Sequence, residues 1–202
     1  MTGTAAPAFL FAPGAGAPSA SAWMVAFRRR LEQLGTVHGF DYAYQVARRR
    51  TPDRLPALIS AHRAAFDALA SEHAGPIVLI GKSMGGRIGC HLANELESER
   101  LRALVCLGYP LIGQNGAVRD AVLLELKKPI LFVQGTRDDM CPLERLAEVE
   151  ARMQSPHQRY VVDGGDHSLL VLKGELARSG RTQDGVDAAI LERIATFVSS
   201  LR

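Results

Sequence analysis

The chain is predicted to be an α/β protein built on a mainly parallel sheet with helices on both faces. Three observations point there. Short β-type runs alternate with longer helical patterns along the 202 residues, the order that folds as successive strand–helix–strand units. Several of these runs, such as "PIVLIG" (76–81) and "KKPILFVQG" (127–135), are apolar at nearly every strand position, as strands covered on both faces are. The residues with the most chemical potential stand just after such runs, and open parallel sheets gather reactive groups at the carboxyl ends of their strands.

Taken in order, "AFLFAP" (8–13) reads as a first strand that runs into glycines. Trp23, Phe27, Leu31 and Leu34 share one helical face over 21–34, the periodicity of an amphipathic helix. "TVHGFDYAY" (36–44) is a weaker strand, and Leu55, Leu58, Ile59, Ala65, Phe66 and Leu69 mark a long amphipathic helix. After "PIVLIG", residues Ile88, Cys90, His91 and Leu92 open another helix. "LRALVCLGYPL" (101–111) and "KKPILFVQG" repeat the buried-strand type. Leu143, Leu146, Val149 and Met153 suit a short helix, "QRYVVDGG" (158–165) a last strand, and Val186, Ile190, Ile194, Phe197 and Leu201 a closing helix. The polar stretch "KGELARSGRTQDG" (173–185) reads as a mobile loop. No repeat, low-complexity tract or linker divides the chain, so 1–202 is expected to form one domain.

Composition narrows the function classes. With 24 basic and 21 acidic side chains the net charge is +3, too small an excess to argue for nucleic acid. The arginine triplets at 28–30 and 48–50 lack the interleaved aromatics of a base-stacking surface and read as solvated surface. No apolar run reaches the roughly 20 residues that span a bilayer, and the N-terminus lacks the basic start of a secretory leader. Cys90, Cys106 and Cys141 form neither a disulfide framework nor a zinc pattern, and a reducing, cytoplasmic setting fits them.

"VLIGKSMGGR" (78–87) carries the first chemical signal. It is not a phosphate-binding P-loop, because Gly75 lies one position too far from Gly81 and the intervening "PIVLI" is strand-like. Gly81-Lys82-Ser83-Met84-Gly85 instead matches G-x-S-x-G, the nucleophile elbow. That turn exposes a serine Oγ between strand and helix and aims the next amide, of Met84, at a developing oxyanion. A serine hydroxyl needs a base. His167, in "VVDGGDHSLL" beyond the last strand, has the right context, whereas His62 lies among apolar helix positions and reads as structural. A carboxylate must then orient the imidazole. "FVQGTRDDM" offers Asp138 and Asp139; spacing favours Asp138 and leaves Asp139 to cap the following helix. Asp166 suits a turn. A second oxyanion amide is placed at Ala15, with Gly14 as the alternative, in the loop "FAPGAGAPSAS" after the first strand. Ser19 or Ser21 would cap the helix behind it.

The order Ser83, Asp138, His167 is that of α/β-hydrolases. With "APGAGAPSAS", "GKSMGGR", "GYPL", "QGTRDDM" and "GGDHSL", the chain resembles that superfamily and its small dienelactone-hydrolase-like members. More narrowly, it resembles the family of compact hydrolases predicted from sequence that includes testis-expressed protein thirty and the third subunit of the non-specific-lethal complex. The resemblance implies about six parallel strands in order 2-1-3-4-5-6. Two departures from the wider superfamily stand out: Pro13 replaces the usual histidine before the oxyanion glycine, and the segment between 108 and 127 is too short for a separate lid. Dienelactone hydrolases proper use a cysteine at the elbow, where this chain has Ser83.

The function expected is hydrolysis of an ester, thioester or similar small acyl substrate without cofactor or metal. The alternative is a catalytically silent binding or scaffold module of the same fold. Trp23, Met24, Tyr109 and Leu169 follow strand ends and are candidates to line the acyl pocket. Lys82 and Arg87 flank the elbow; they are expected to face solvent or a salt-bridge partner, with recognition of an acidic substrate as the alternative. Neither the substrate nor the oligomeric state is legible.

Overall fold

Parallel pairing throughout is what the apolar runs demand, since each can be covered on both faces only inside a layered α/β sheet. The computed structural model describes residues 6–113 and 115–201; the start of the N-terminus, on which the reading against a leader relies, lies outside them. Six strands, β1 (Ala8–Ala12), β2 (Thr36–Gly39), β3 (Ile77–Lys82), β4 (Leu101–Leu107), β5 (Ile130–Gly135) and β6 (His157–Val162), pair in parallel in the order β2-β1-β3-β4-β5-β6. This is the expected topology. Among the described residues, no separate lid rises over the sheet.

Strand side chains alternate between two apolar layers, because successive Cβ atoms point to opposite faces. Leu10, Leu79, Leu104 and Phe132 join one layer with α3 (Leu55–Glu72), α4 (Met84–Glu95) and α6 (Leu143–Glu150). Phe11, Ile80, Val105 and Val133 join the other with α1 (Ala22–Leu31) and α8 (Gln183–Ser199). Short helices α2 (Ala43–Val46), α5 (Ala121–Leu124) and α7 (Lys173–Arg178) complete the set. Among the described residues, no helix is long and apolar enough to cross a membrane.

Two expectations are corrected. The second strand stops at Gly39, and residues at the end of "TVHGFDYAY" enter α2 instead. Its aromatics had read as β-formers, but Tyr42 and Tyr44 are buried side by side, ring centroids 6.4 Å apart, and Tyr42 meets His62 of α3. The polar stretch 173–185 is not a plain loop, for it contains α7 and the start of α8. Leu176 anchors α7 to the second apolar layer. Gly180, at φ +63°, ends it as the amide of Arg181 reaches back to the carbonyl of Leu176 at 3.0 Å, the bond that closes many helices at a left-handed glycine.

Candidate active site

The elbow follows from crowding at the carboxyl end of β3. A Cβ on Gly81 would sit 2.2 Å from the Gly86 nitrogen, and one on Gly85 would sit 2.6 Å from the carbonyl oxygens of Ala12 and Pro13. Only glycine permits this approach. Ser83 between them is held at φ +50°, ψ −116°, a region that costs a side-chain-bearing residue about 1–3 kcal/mol. Its amide is fastened to the Leu107 carbonyl of β4 at 3.0 Å, so the strained turn is pinned on the sheet side.

Three strand ends converge there. His167 Nε2 lies 2.8 Å from Ser83 Oγ and its Nδ1 lies 2.8 Å from Asp138 Oδ2. This Ser83–His167–Asp138 arrangement is that of a catalytic triad. Asp138 is 3% exposed, and its carboxylate is saturated with donors. Oδ1 accepts from the Met140 amide at 2.9 Å, and Oδ2 also accepts from Gln134 Nε2. Asp139 is exposed and does not cap α6, whose N-cap position is Pro142 without a side-chain bond.

The loop bearing His167 is tied down on several sides. Asp166 Oδ1 accepts from the amides of Ser168 and Leu170 at 2.7 and 3.0 Å, the turn its position suggested. Trp23 Nε1 donates to the Ser168 carbonyl at 2.9 Å. Lys82 Nζ donates to the His167 carbonyl and sits 5.8 Å from the Trp23 ring centroid. Lys82 therefore neither faces solvent nor forms a salt bridge. It is 9% exposed, and burial pushes its ammonium down to about 8.

The glycine-containing loop after β1, where the sequence placed the second oxyanion amide, is held from α2. Gln45 Nε2 donates to the carbonyls of Gly14 and Ala17 at 2.9 and 3.1 Å, while its Oε1 accepts from the Tyr42 amide at 3.1 Å. Tyr44 donates its hydroxyl to the Ala15 carbonyl at 2.9 Å. Ser21 stands at the N-cap of α1 without a side-chain bond, and the Ser19 amide donates to Asp41; neither serine hydroxyl caps the helix. Neither support was visible in the sequence, for Tyr44 ends a stretch read as a strand and Gln45 follows it with no motif of its own. Gln134 was also missed, although a lone polar residue in an apolar strand is a signal: its Oε1 accepts from the Tyr109 amide at 3.0 Å, linking the β4 and β5 ends.

A cleft of about 700 Å³ opens over Ser83 and His167, lined among others by Ala15, Trp23, Met24, Met84 and Arg87. Tyr109 and Leu169 are fully buried instead. Tyr109 supports the site through Gln134, and Leu169 packs in the second apolar layer. A separate cavity of about 490 Å³ lies at the opposite ends of the strands, beside Leu101, Pro129 and His157, far from the triad. His62 is buried as expected, its Nδ1 3.3 Å from the Tyr42 hydroxyl, and burial pushes it down to about 3, so it stays neutral. All three cysteines are buried and free.

A family model described as an alpha/beta hydrolase domain matches residues 5–199. Among solved structures, the chain is similar to an alpha-beta serine hydrolase homologue from Coxiella burnetii (TM-score 0.70, 17% identity, 95% of this chain and 84% of that one). It is also similar to the dienelactone hydrolase of Anabaena variabilis (0.73, 19%, 98% and 88%). A third likeness is to the esterase domain of a Rhodothermus marinus protein (0.66, 19%, 97% and 87%). At such identities the likeness is one of fold.

Proposed function

We infer that this chain, which belongs to the alpha/beta hydrolase family, is a serine hydrolase of an ester, thioester or similar acyl substrate. One observation carries the reading: His167 bridges Ser83 Oγ and the buried Asp138 carboxylate at 2.8 Å on either side. As Ser83 Oγ bonds to the acyl carbon, His167 Nε2 takes the hydroxyl proton and Asp138 stabilises the imidazolium. The proton passes to the departing alcohol or thiol as its bond to the acyl carbon breaks. His167 then removes a proton from water, whose oxygen attacks the acyl-serine; the proton returns to Ser83 and the acid leaves.

The tetrahedral oxyanion is assigned to the amides of Met84 and Ala15. The hold of Gln45 on the Gly14 carbonyl supports the second choice. In a trans peptide the C=O and the following N–H point in opposite directions, so turning the Gly14 oxygen toward α2 turns the Ala15 amide away from it. Trp23 and Met24 are assigned to the acyl pocket. The narrower resemblance to testis-expressed protein thirty and the non-specific-lethal complex third subunit is part of this reading, carried by "APGAGAPSAS", "GKSMGGR", "GYPL", "QGTRDDM" and "GGDHSL" together. One sheet shared by both apolar layers supports reading 1–202 as a single domain, and three free cysteines support a reducing, cytoplasmic setting.

The test is intact-mass labelling with a small neutral fluorophosphonate. A single adduct on the native protein, absent in Ser83→Ala and His167→Ala, is expected. An unlabelled native protein with a normal melting transition would overturn the reading.

A further inference from the structure

The cleft over Ser83 is cationic without a matching carboxylate. Arg87, Arg119, Lys82 and Arg50 line it, against one acidic residue, Asp53. Asp53 is already engaged, accepting from the Tyr44 amide at 3.0 Å and from Arg49 at 2.6 Å. Lys82 is committed to the His167 carbonyl, and Arg50 is exposed at the rim. That leaves Arg87 and Arg119.

Arg87 stands one helical turn after Ser83 on α4, and side chains four apart share a helix face. It does not form the salt bridge its sequence context had made the first expectation. Its Nη1 makes one contact, 3.4 Å from His91 Nε2. Its Nε is buried with no hydrogen-bond partner among the described residues. Arg87 and Arg119 line the same cleft, and burial first and then the charge of Arg119 disfavour the Arg87 cation. Burial, and then the charge of Arg87, disfavour the His91 cation, and a neutral imidazole brings no negative charge to the pair. Arg119 is fixed through its backbone: its amide donates to the Leu111 carbonyl at 2.8 Å and its own carbonyl accepts from the Tyr109 hydroxyl at 3.1 Å. Its guanidinium makes no hydrogen bond or ion pair with any described residue.

Two like charges beside an unsatisfied buried donor are costly unless an anion completes them. We propose that Arg87 and Arg119 form an anion subsite in the cleft, so that the acyl substrate carries a carboxylate or phosphate group held there while its carbonyl lies at Ser83. The proposal rests on the serine-hydrolase reading. It adds the substrate class: an anionic acyl compound, whether the charge lies on the acyl or the leaving side. Guanidinium forks suit both oxyacids, since each offers paired oxygens to paired N–H donors.

The experiment is protection of Ser83 from the neutral fluorophosphonate by three probes: benzoate, phenyl phosphate and the neutral isostere of benzoate, benzamide. At least one anion is expected to protect with a Kd about tenfold or more below that of benzamide, the scale of a charge-assisted hydrogen bond. The better anion identifies carboxylate or phosphate. That advantage should collapse in Arg119→Gln and Arg87→Gln, return in part in Arg119→Lys, and shrink with added salt in the wild type. Equal protection by all three probes in a protein that labels normally would overturn the subsite and leave the hydrolase reading intact. An anion advantage that survives in folded Arg119→Gln and Arg87→Gln would also overturn it, placing the anion at the triad itself. Failure of the native protein to label would overturn the hydrolase reading instead. Should either glutamine variant fail to melt cooperatively, the wild-type comparison with benzamide and Arg119→Lys still decides.

Discussion

Asp138→Asn tests the site at its most constrained point. The carboxylate accepts from His167 Nδ1 at 2.8 Å and from Gln134 on Oδ2, and from the Met140 amide at 2.9 Å on Oδ1. An asparagine has one oxygen and one amide nitrogen for these two positions. If its oxygen faces His167, its NH₂ meets the Met140 N–H; if its NH₂ faces His167, it confronts the Gln134 amide and forces Nδ1 to accept. The second orientation puts the proton on Nε2, where it cannot receive the Ser83 proton. The first removes the charge that stabilises the imidazolium. Loss of the correct tautomer costs about 10³–10⁴ in kcat, about 4–5.5 kcal/mol of barrier, and the buried donor–donor contact costs about 1–3 kcal/mol of stability. The assay is initial-rate hydrolysis of a short activated ester, with the fluorophosphonate labelling rate and a melting curve on the same preparation. A folded variant that turns over within tenfold of the wild type would refute the assignment of Asp138.

Gln45→Ala removes the two bonds that hold the Gly14 and Ala17 carbonyls; kcat for the same ester is expected to fall about 5- to 160-fold, on the basis of about 1–3 kcal/mol of lost support, and an unchanged kcat would uncouple α2 from the proposed oxyanion amide at Ala15. Lys82 is the pH probe. Its folded value near 8 lies below its ordinary 10.5, so between those limits the unfolded chain binds the extra proton and stability rises with pH; below about pH 8 both states are protonated and the contribution is flat. Relative to Lys82→Met, the wild type should gain about 1–2 kcal/mol between pH 7 and 9.5, at about 1.4 kcal/mol per pH unit within the window, read by urea denaturation; a flat difference would mean that the buried lysine titrates normally.

The parts of the molecule legible in the sequence are those whose cause is local. β1, β3, β4 and β5 announce themselves because burial on both faces leaves few polar positions to interrupt them, such as Arg102 near the start of β4 and Gln134 in β5. The elbow is legible because the close approach of Gly81 and Gly85 to neighbouring backbone requires glycine at fixed spacing. His167 and Asp138 are legible because a parallel sheet brings its strand ends to one edge. The rest depends on distant partners. Tyr42 caps α2 and Tyr44 lies in it; their β-type chemistry is overridden by packing of Tyr44 on Tyr42 and of Tyr42 on His62. α7 has a single buried apolar residue, Leu176, too little to show a period. The roles of Gln45 and Arg119 rest on contacts across 31 and 10 positions, for which no local pattern exists, while Gln134 is marked only as a lone polar residue in an apolar strand and its partner at Tyr109 lies 25 positions away.

The distribution of these supports explains how so short a chain can hold a strained nucleophile. Ser83 occupies a backbone conformation that its own residue type disfavours, and nothing in the elbow alone would keep it there. The turn is held by what surrounds it: β3 lies between β1 and β4, the Ser83 amide is bonded to β4, and the Ala12 and Pro13 carbonyls crowd Gly85 from the β1 side. The other two triad members need no such strain, because polar side chains suffice to aim them: Gln134 and the Met140 amide for Asp138, Asp166, Trp23 and Lys82 for the loop of His167. Core packing thus sets the nucleophile, while hydrogen bonds set the base and its carboxylate. Changes to the polar supports should therefore alter rate more than stability, and changes at Gly81 or Gly85 should do the reverse first.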